Sequence, residues 1–586
     1  MKAPSVFELL FWVLAGLQTV AALQSTPTVT VKRNNHQGPV ANNFITTENG
    51  QFRVNGSEFK FVGANAYWLP TLNTEEDIRD TLSNMSSHGI KVVRLWAFND
   101  VHAIPENGTW FQLIANGTAT INEGPNGLQK LDTVIRIAES LGIYVLLSLT
   151  NNWNPMPLFD NLNISLPLNP FDARELPTGT GNNLPRNFLG NDYGGMDAYV
   201  REFGTNHDDF YSNDTIVEFF NNYTTRIVSR YSNSTSVFAW EIANDPRCSS
   251  TISASDNCRT TTVTNWHARV ADSVAAVDPN HLVSSGAHGF FCAECPKLFP
   301  VTAPPPPPQP SPPPGERRRR RDIGPLTKRS LLLEKKATRK SNYLSKKSSR
   351  PGEGSVRIRG RWVAPPAKRQ TQGDFGVGSA FDGTFGVDSE DILNVPNISF
   401  VSFQLFPDQE QYQVGSPSDD ILNPGQFFNE TVQSGISWIQ RQVRAAQLIN
   451  KPIAMTGFGL VTQDNAPRFT SFNDSMPRGD VAVASPDNST ALYGVTDEQR
   501  NDAYSQWTNA AVAAGVQGIL FWQWGQNNLT AQPGTSISPV NNATESSPVN
   551  NSTTQSPNDG YSILGVGEPA VQDIIETTAD QLSPAV

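Results

Sequence analysis

At 586 residues the chain exceeds the usual size of one barrel domain, so it is either one domain with large insertions or two domains. Its net charge of −11 conceals an asymmetry, because residues 301–372 carry roughly +15 and leave the remainder distinctly acidic. An acidic body with a basic insert argues against nucleic acid as a partner.

The chain begins Met1-Lys2, and an apolar stretch from Val6 to Ala22 ends in the small residues Val20-Ala21-Ala22. This predicts a signal peptide over 1–22, followed by a short leader over 23–44. No later run is long enough to span a membrane, so a soluble secreted protein is expected, extracellular or attached to a cell wall. Asn-x-Ser/Thr sequons at Asn55, Asn84, Asn107, Asn116, Asn213, Asn233, Asn397, Asn429 and Asn528 suit a glycosylated surface.

Apolar strands are expected at Phe59–Asn65, Val92–Trp96, Tyr144–Leu149, Val237–Ala243, His281–Ser285, Ile398–Phe406, Pro452–Met455 and Gly518–Trp522. Amphipathic stretches at helical spacing lie between them, at Glu75–Ser87, Gly127–Leu141, Thr215–Arg230, Thr264–Val277, Gly435–Ile449 and Asp497–Ala514. Strands that are apolar throughout, alternating with helices, predict an α/β fold: a parallel (β/α)₈ TIM barrel with long loop insertions, in two parts over 45–300 and 373–586. Such barrels carry their sites just past the strand C-terminal ends.

Insertions interrupt the barrel. One, over about 154–191, belongs on the site face. The second, over 301–372, contains Pro304–Pro308, Arg317–Arg321 and the dibasic pairs Lys328-Arg329, Lys346-Lys347 and Lys368-Arg369. Proline repeats and like-charge blocks cannot bury a core, so a disordered, solvated or processed loop is expected there. The third, over about 529–558, is rich in Ser, Thr, Asn and Pro. In an oxidising compartment the four cysteines give one or two disulfides; proximity favours Cys248 with Cys258 and Cys292 with Cys295, one of three pairings. Cys292-Ala-Glu-Cys295 has neither a second CxxC nor a His pair, so no metal is expected.

Two strand ends carry the chemistry. The first reads Trp240-Glu-Ile-Ala-Asn-Asp-Pro-Arg-Cys248 and the second Lys451-Pro-Ile-Ala-Met-Thr-Gly-Phe-Gly459. With Val92-Val-Arg-Leu-Trp-Ala-Phe-Asn-Asp-Val101, Asn151-Asn-Trp153 and Asp192-Tyr-Gly-Gly195, they resemble the fungal and plant endo-β-1,4-mannanases of glycoside hydrolase family 5. The resemblance implies that Asp245 stands where that family has its acid/base Glu, and Gly457 where it has its nucleophile. It implies sugar-holding roles for Arg94, Asn151, Trp153, Asn244 and Trp522, with Gln404 and Phe406 in place of a His and a Tyr that line the site. His288 falls where the family has an acid, and a lone histidine is more often structural. Glu241 matches a structural Glu and is expected in the core.

A retaining glycosidase needs two carboxyl groups roughly 5 to 5.5 Å apart. Asp245 keeps an acid one methylene shorter, and a polar strand-end residue bound to its surroundings is an equal reading of it; Gly457 keeps nothing. The expectation is a secreted, monomeric mannanase-like protein that recognises β-mannan or a related polysaccharide without a cofactor, with hydrolysis lost or much reduced. One alternative is a working hydrolase or transglycosidase in which Asp245 is the acid and an insertion residue such as Asp160 or Asp172 activates water. Another is an adhesive wall protein acting through the basic insertion.

Overall fold

Eight parallel strands form one sheet: β1 (Phe61–Asn65), β2 (Ile90–Trp96), β3 (Tyr144–Ser148), β4 (Val237–Glu241), β5 (Leu282–Ser284), β6 (Val401–Leu405), β7 (Ile453–Phe458) and β8 (Gly518–Phe521). Their order is β5-β4-β3-β2-β1-β8-β7-β6, and a parallel bridge from Ser284 to Phe400 joins the outer two, closing the barrel. Each is followed by a helix: α1 (Glu75–Ser87), α2 (Leu128–Ser140), α3 (Asp214–Tyr231), α4 (Thr260–Val277), α5 (Ser389–Leu393), α6 (Phe428–Ile449), α7 (Asp497–Ala514) and α8 (Pro569–Leu582). The expected (β/α)₈ barrel is therefore present.

This computed structural model describes residues 44–155, 184–301, 356–358, 361–363, 378–412, 423–475, 477, 482–484, 490–539, 553–564 and 568–583. The expected signal peptide, nearly all of the leader, Asp160, Asp172 and most of the basic insertion lie outside them. Within that insertion, Val356–Ile358 pairs antiparallel with Arg361–Val363. Both disulfides join the neighbours in sequence, Cys248 to Cys258 and Cys292 to Cys295.

Strands β1, β4, β6 and β7 are buried at every position, which explains why they read as unbroken apolar runs rather than alternating ones. The N-terminal end of the barrel is filled by aromatic packing. Phe52, on a hairpin preceding β1, meets Phe238 and Phe400 edge-on at 5.3 and 5.2 Å, geometries that aromatic quadrupoles favour.

Two helices start several residues earlier than the sequence reading. Helix α4 begins at Thr260 rather than Thr264, and α6 at Phe428 rather than Gly435. Glycine costs about 1 kcal/mol within a helix, which favours a boundary there. In the fold Gly435 is an interior contact, since a Cβ on it would lie 2.4 Å from Nε1 of Trp507 on α7. Gly435→Ala is expected to force these helices apart and lower stability by about 1–3 kcal/mol, as overpacking does. Urea denaturation checks it, and a neutral or stabilising result would mean that α6 and α7 can shift freely.

Candidate active site

Four of the expected site residues meet in one hydrogen-bond network at the strand C-terminal ends. Arg94 on β2 is fully buried, and its guanidinium grips the equally buried Glu241 at the end of β4, with Nη2 2.6 Å from Oε1 and Nε 3.0 Å from Oε2. Ser148 donates to the same carboxylate at 2.8 Å. Arg94 also donates to Asn65 at 3.0 Å and to Oδ1 of Asn244 at 2.7 Å. Gln404 on β6 donates to that same Oδ1 at 3.0 Å, while Nδ2 of Asn244 donates to Asn151 at 2.9 Å. Arg94 therefore lies fully buried beneath the mouth, where it holds the side-chain oxygen of Asn244. Asn244 has one amide hydrogen left without a protein partner in these bonds.

Asp245 belongs to a second, charged cluster. It is 2% exposed and adopts a left-handed backbone, φ 51°. Nε of Arg247 lies 3.1 and 3.0 Å from its two oxygens, Nη2 lies 2.8 Å from Oδ2, and the Trp153 indole donates to Oδ2 at 3.0 Å. Arg247 also pairs with Glu410 at 2.5 Å, and its guanidinium lies over Phe385, Phe290 and Trp153 at 4.4, 4.8 and 5.1 Å from the ring centres. Burial opposes charge on Arg247, but the carboxylates of Asp245 and Glu410 outweigh it and keep the guanidinium protonated.

His288 backs this cluster. Its ring stacks on Phe290 at 4.7 Å, and Nε2 lies 2.5 Å from the hydroxyl of Tyr412. That hydroxyl also accepts the backbone N–H of Phe406 at 3.0 Å, while Nδ1 of His288 makes no hydrogen bond and lies 3.7 Å from Asp245. Burial holds the imidazole down at about 3, with Asp245 opposing and Arg247 assisting. His288 is thus neutral throughout the physiological range.

A pH effect follows. The unfolded chain protonates this histidine near pH 6.5 and the fold does so only near 3, so its contribution is complete above 6.5 and falls as pH drops towards 3. Between pH 7 and pH 5 the protein should lose about 2 kcal/mol more stability than His288→Gln does. Urea denaturation at the two pH values checks this; parallel losses would contradict it.

Gly457 is in the last turn of pleat of β7, and a Cβ on it would lie 3.3 Å from Cζ of Phe406 and 3.8 Å from Asn65. The Phe406 ring thus covers the expected nucleophile position. It meets Phe472, Tyr561 and Trp522 edge-on at 5.2, 5.4 and 6.0 Å.

Trp522, after β8, lies across the mouth from Asn244. It is only 4% exposed: Tyr67 stacks on it at 5.6 Å, and its indole donates to Asp559 at 2.9 Å. Burial raises the Asp559 carboxyl, while bonds from Gln523 and Trp522 pull it back. Trp522 and Asp559 border one cleft with Trp96, Asn151, Trp153 and Asn244, of about 350 Å³ including the space open above it. Arg247, Glu410, Tyr67 and Asp559 carry no motif role in the sequence, although Arg247 stands two residues past Asp245 in the most specific segment. Among the described residues no cluster of three His, Cys, Asp or Glu side chains could hold a metal, and no helix is long and apolar enough to cross a membrane.

Residues 52–291, which contain β1 to β5, match the family described as cellulase (glycosyl hydrolase family 5). A probable mannan endo-1,4-β-mannosidase A from Aspergillus flavus is 33% identical over 278 residues, 47% of this chain and 61% of that protein. A mannan endo-1,4-β-mannosidase F from Aspergillus clavatus is 36% identical over 249 residues, 42% of this chain and 47% of that protein. The matched part thus spans about half to three-fifths of these relatives' length. The solved endo-1,4-β-mannanase from Rhizomucor miehei has a TM-score of 0.53 at 22% identity, covering 92% of this chain and 99% of that one, a likeness of fold. The resemblance to family-5, mannanase-type glycoside hydrolases holds.

Proposed function

We propose that this chain is a secreted, mannanase-like barrel that recognises β-mannan or a related wall polysaccharide and hydrolyses it little or not at all. The observation that carries this reading is the state of the two strand ends: Arg247 and Trp153 occupy the Asp245 carboxylate, and Gly457 offers a hydrogen beneath Phe406. Double displacement requires a carboxylate to form the glycosyl–enzyme bond and an acid to protonate the departing oxygen. The first group is missing, and the second is committed to a buried ion pair. Recognition rests on the cleft itself, where the indoles of Trp96, Trp153 and Trp522 and the amides of Asn151 and Asn244 offer the mixture of flat apolar faces and polar groups that a pyranose demands.

Comparing mannohexaose hydrolysis by the wild type and Asp245→Ala tests the proposal. Turnover should be negligible in both, with a difference of less than about twofold. A working general acid supplies about 10²–10⁴-fold, so a loss of that size on substitution would overturn it.

One observation favours a second reading, an active hydrolase with rebuilt machinery. Asp559 is the carboxyl group lining the cleft among the described residues, and burial raises its pKa, as a general acid requires. That reading predicts measurable turnover whose basic limb disappears in Asp559→Asn. If that variant weakens binding alone, Asp559 merely orients Trp522.

A further inference from the structure

The barrel is assembled from two stretches of chain, 44–301 carrying β1 to β5 and 378–583 carrying β6 to β8. They meet along two seams. On one, β8 pairs with β1 from Gly518 opposite Phe61 to Phe521 opposite Ala64. On the other, Ser399 donates its backbone N–H to Val283 at 2.7 Å, Val283 donates to the Ser399 hydroxyl at 3.0 Å, and Ser284 bridges Phe400. One apolar core runs through both stretches, with Phe291 of the first edge-on to Trp438 of the second at 5.6 Å. The site is shared as well: Asn244 and Arg247 belong to the first stretch, and their partners Gln404 and Glu410 to the second.

Where the chain leaves the first stretch and enters the second, the two flanks are fastened to each other. The Asp391 carboxylate on α5 is fully buried and accepts the backbone N–H of Leu298 at 2.9 Å and that of Phe299 at 2.6 Å. Asn394 donates to the carbonyl of Phe299 at 2.8 Å, and Lys297 pairs with Asp388 and, at 3.4 Å, with Glu390. The backbone groups beside the junction thus have partners within the barrel, the condition under which a chain break is tolerated. No other covalent bond joins the stretches. The chain has four cysteines, and both disulfides, Cys248–Cys258 and Cys292–Cys295, lie in the first.

We propose that the two stretches are self-complementing halves: cut between residues 301 and 378, the protein persists as a two-chain barrel, held by the β8–β1 and β5–β6 seams and by the Asp391 clasp. The partner that each half fits is the other. Their interface is a domain core divided in two, the character of obligate assemblies rather than of transient ones. The peptide link adds only effective concentration, roughly millimolar for a short flexible connection and less for a longer one. This goes beyond glycan recognition and does not rest on it, but it makes the cleft a property of the assembled pair.

The test places the recognition sequence of a site-specific protease between Val301, which is 43% exposed, and Thr302 in the full chain. After cutting, the two pieces should run separately on a non-reducing denaturing gel, yet co-elute from gel filtration at the volume of the uncut protein at about 1 μM. Pieces that elute apart or aggregate would overturn the proposal, and so would a chain that resists cutting there. Mannohexaose affinity, where the uncut protein has it, should change by less than about twofold on cutting. Should neither form bind the sugar, glycan recognition fails and co-elution alone decides the proposal.

Discussion

Replacing Arg247 with methionine should lower the unfolding free energy by about 3–5 kcal/mol, the usual cost of breaking a buried ion pair from one side. Arg247 is 3% exposed, and its guanidinium is held between Asp245, 2% exposed, and Glu410, with three aromatic rings against it. Methionine fills part of the volume but leaves two carboxylates in a site where burial already raises the Glu410 carboxyl. Adding Asp245→Asn and Glu410→Gln to Arg247→Met should recover most of the loss, because the orphaned charges are then gone. Urea denaturation of the single and triple variants measures both. A cost below about 1 kcal/mol would mean that Arg247 is dispensable to the fold and that Asp245 is not committed to it. The result bears on chemistry as well as stability: an aspartate whose two oxygens are needed to neutralise a buried arginine is poorly placed to exchange a proton with a ligand.

Arg94→Met should have an effect of similar size, about 3–5 kcal/mol, for the same reason with different partners. Arg94 and Glu241 are both fully buried, and without the guanidinium Glu241 keeps only the Ser148 hydroxyl among its side-chain partners. Glu241→Gln in the same chain should restore much of that stability, since a neutral amide can be buried at lower cost than an unpaired carboxylate. Ligand binding separates the two variants. Arg94 donates to Oδ1 of Asn244, so Arg94→Met/Glu241→Gln should bind mannotriose more weakly than the wild type even where it is folded. Undiminished affinity would show that Asn244 either holds its orientation through Gln404 and Asn151 alone or does not touch the sugar.

The barrel was legible because its strands are buried on both faces and its helices are amphipathic, so burial is written into both patterns. Proximity in sequence sufficed for the disulfides, each closing a short loop. What the pattern could not carry was the partnership of residues distant in the chain. Glu410 lies 163 positions from Arg247, and nothing at either place announces the other. Gly457 was visible as a missing carboxylate, but the ring over it belongs to Phe406, the residue just past the adjacent strand, and depends on register. Trp522 has the position of a stacking platform; it is buried by Tyr67, Phe406 and Asp559, with Gly190 from the far end of a site-face insertion beside it. Asp559 follows a Ser- and Thr-rich loop without a motif, and only the folded chain brings it to the indole of Trp522. The fold was thus readable from local pattern, whereas the condition of the site depends on long-range contacts.

The central claim, recognition without appreciable hydrolysis, is tested most directly by one calorimetric trace of the purified protein with mannohexaose, followed well past the last injection. The account predicts heats that saturate and a return to baseline power after each addition. Continuing power after saturation, with mannose oligomers shortening over the same period, would contradict it.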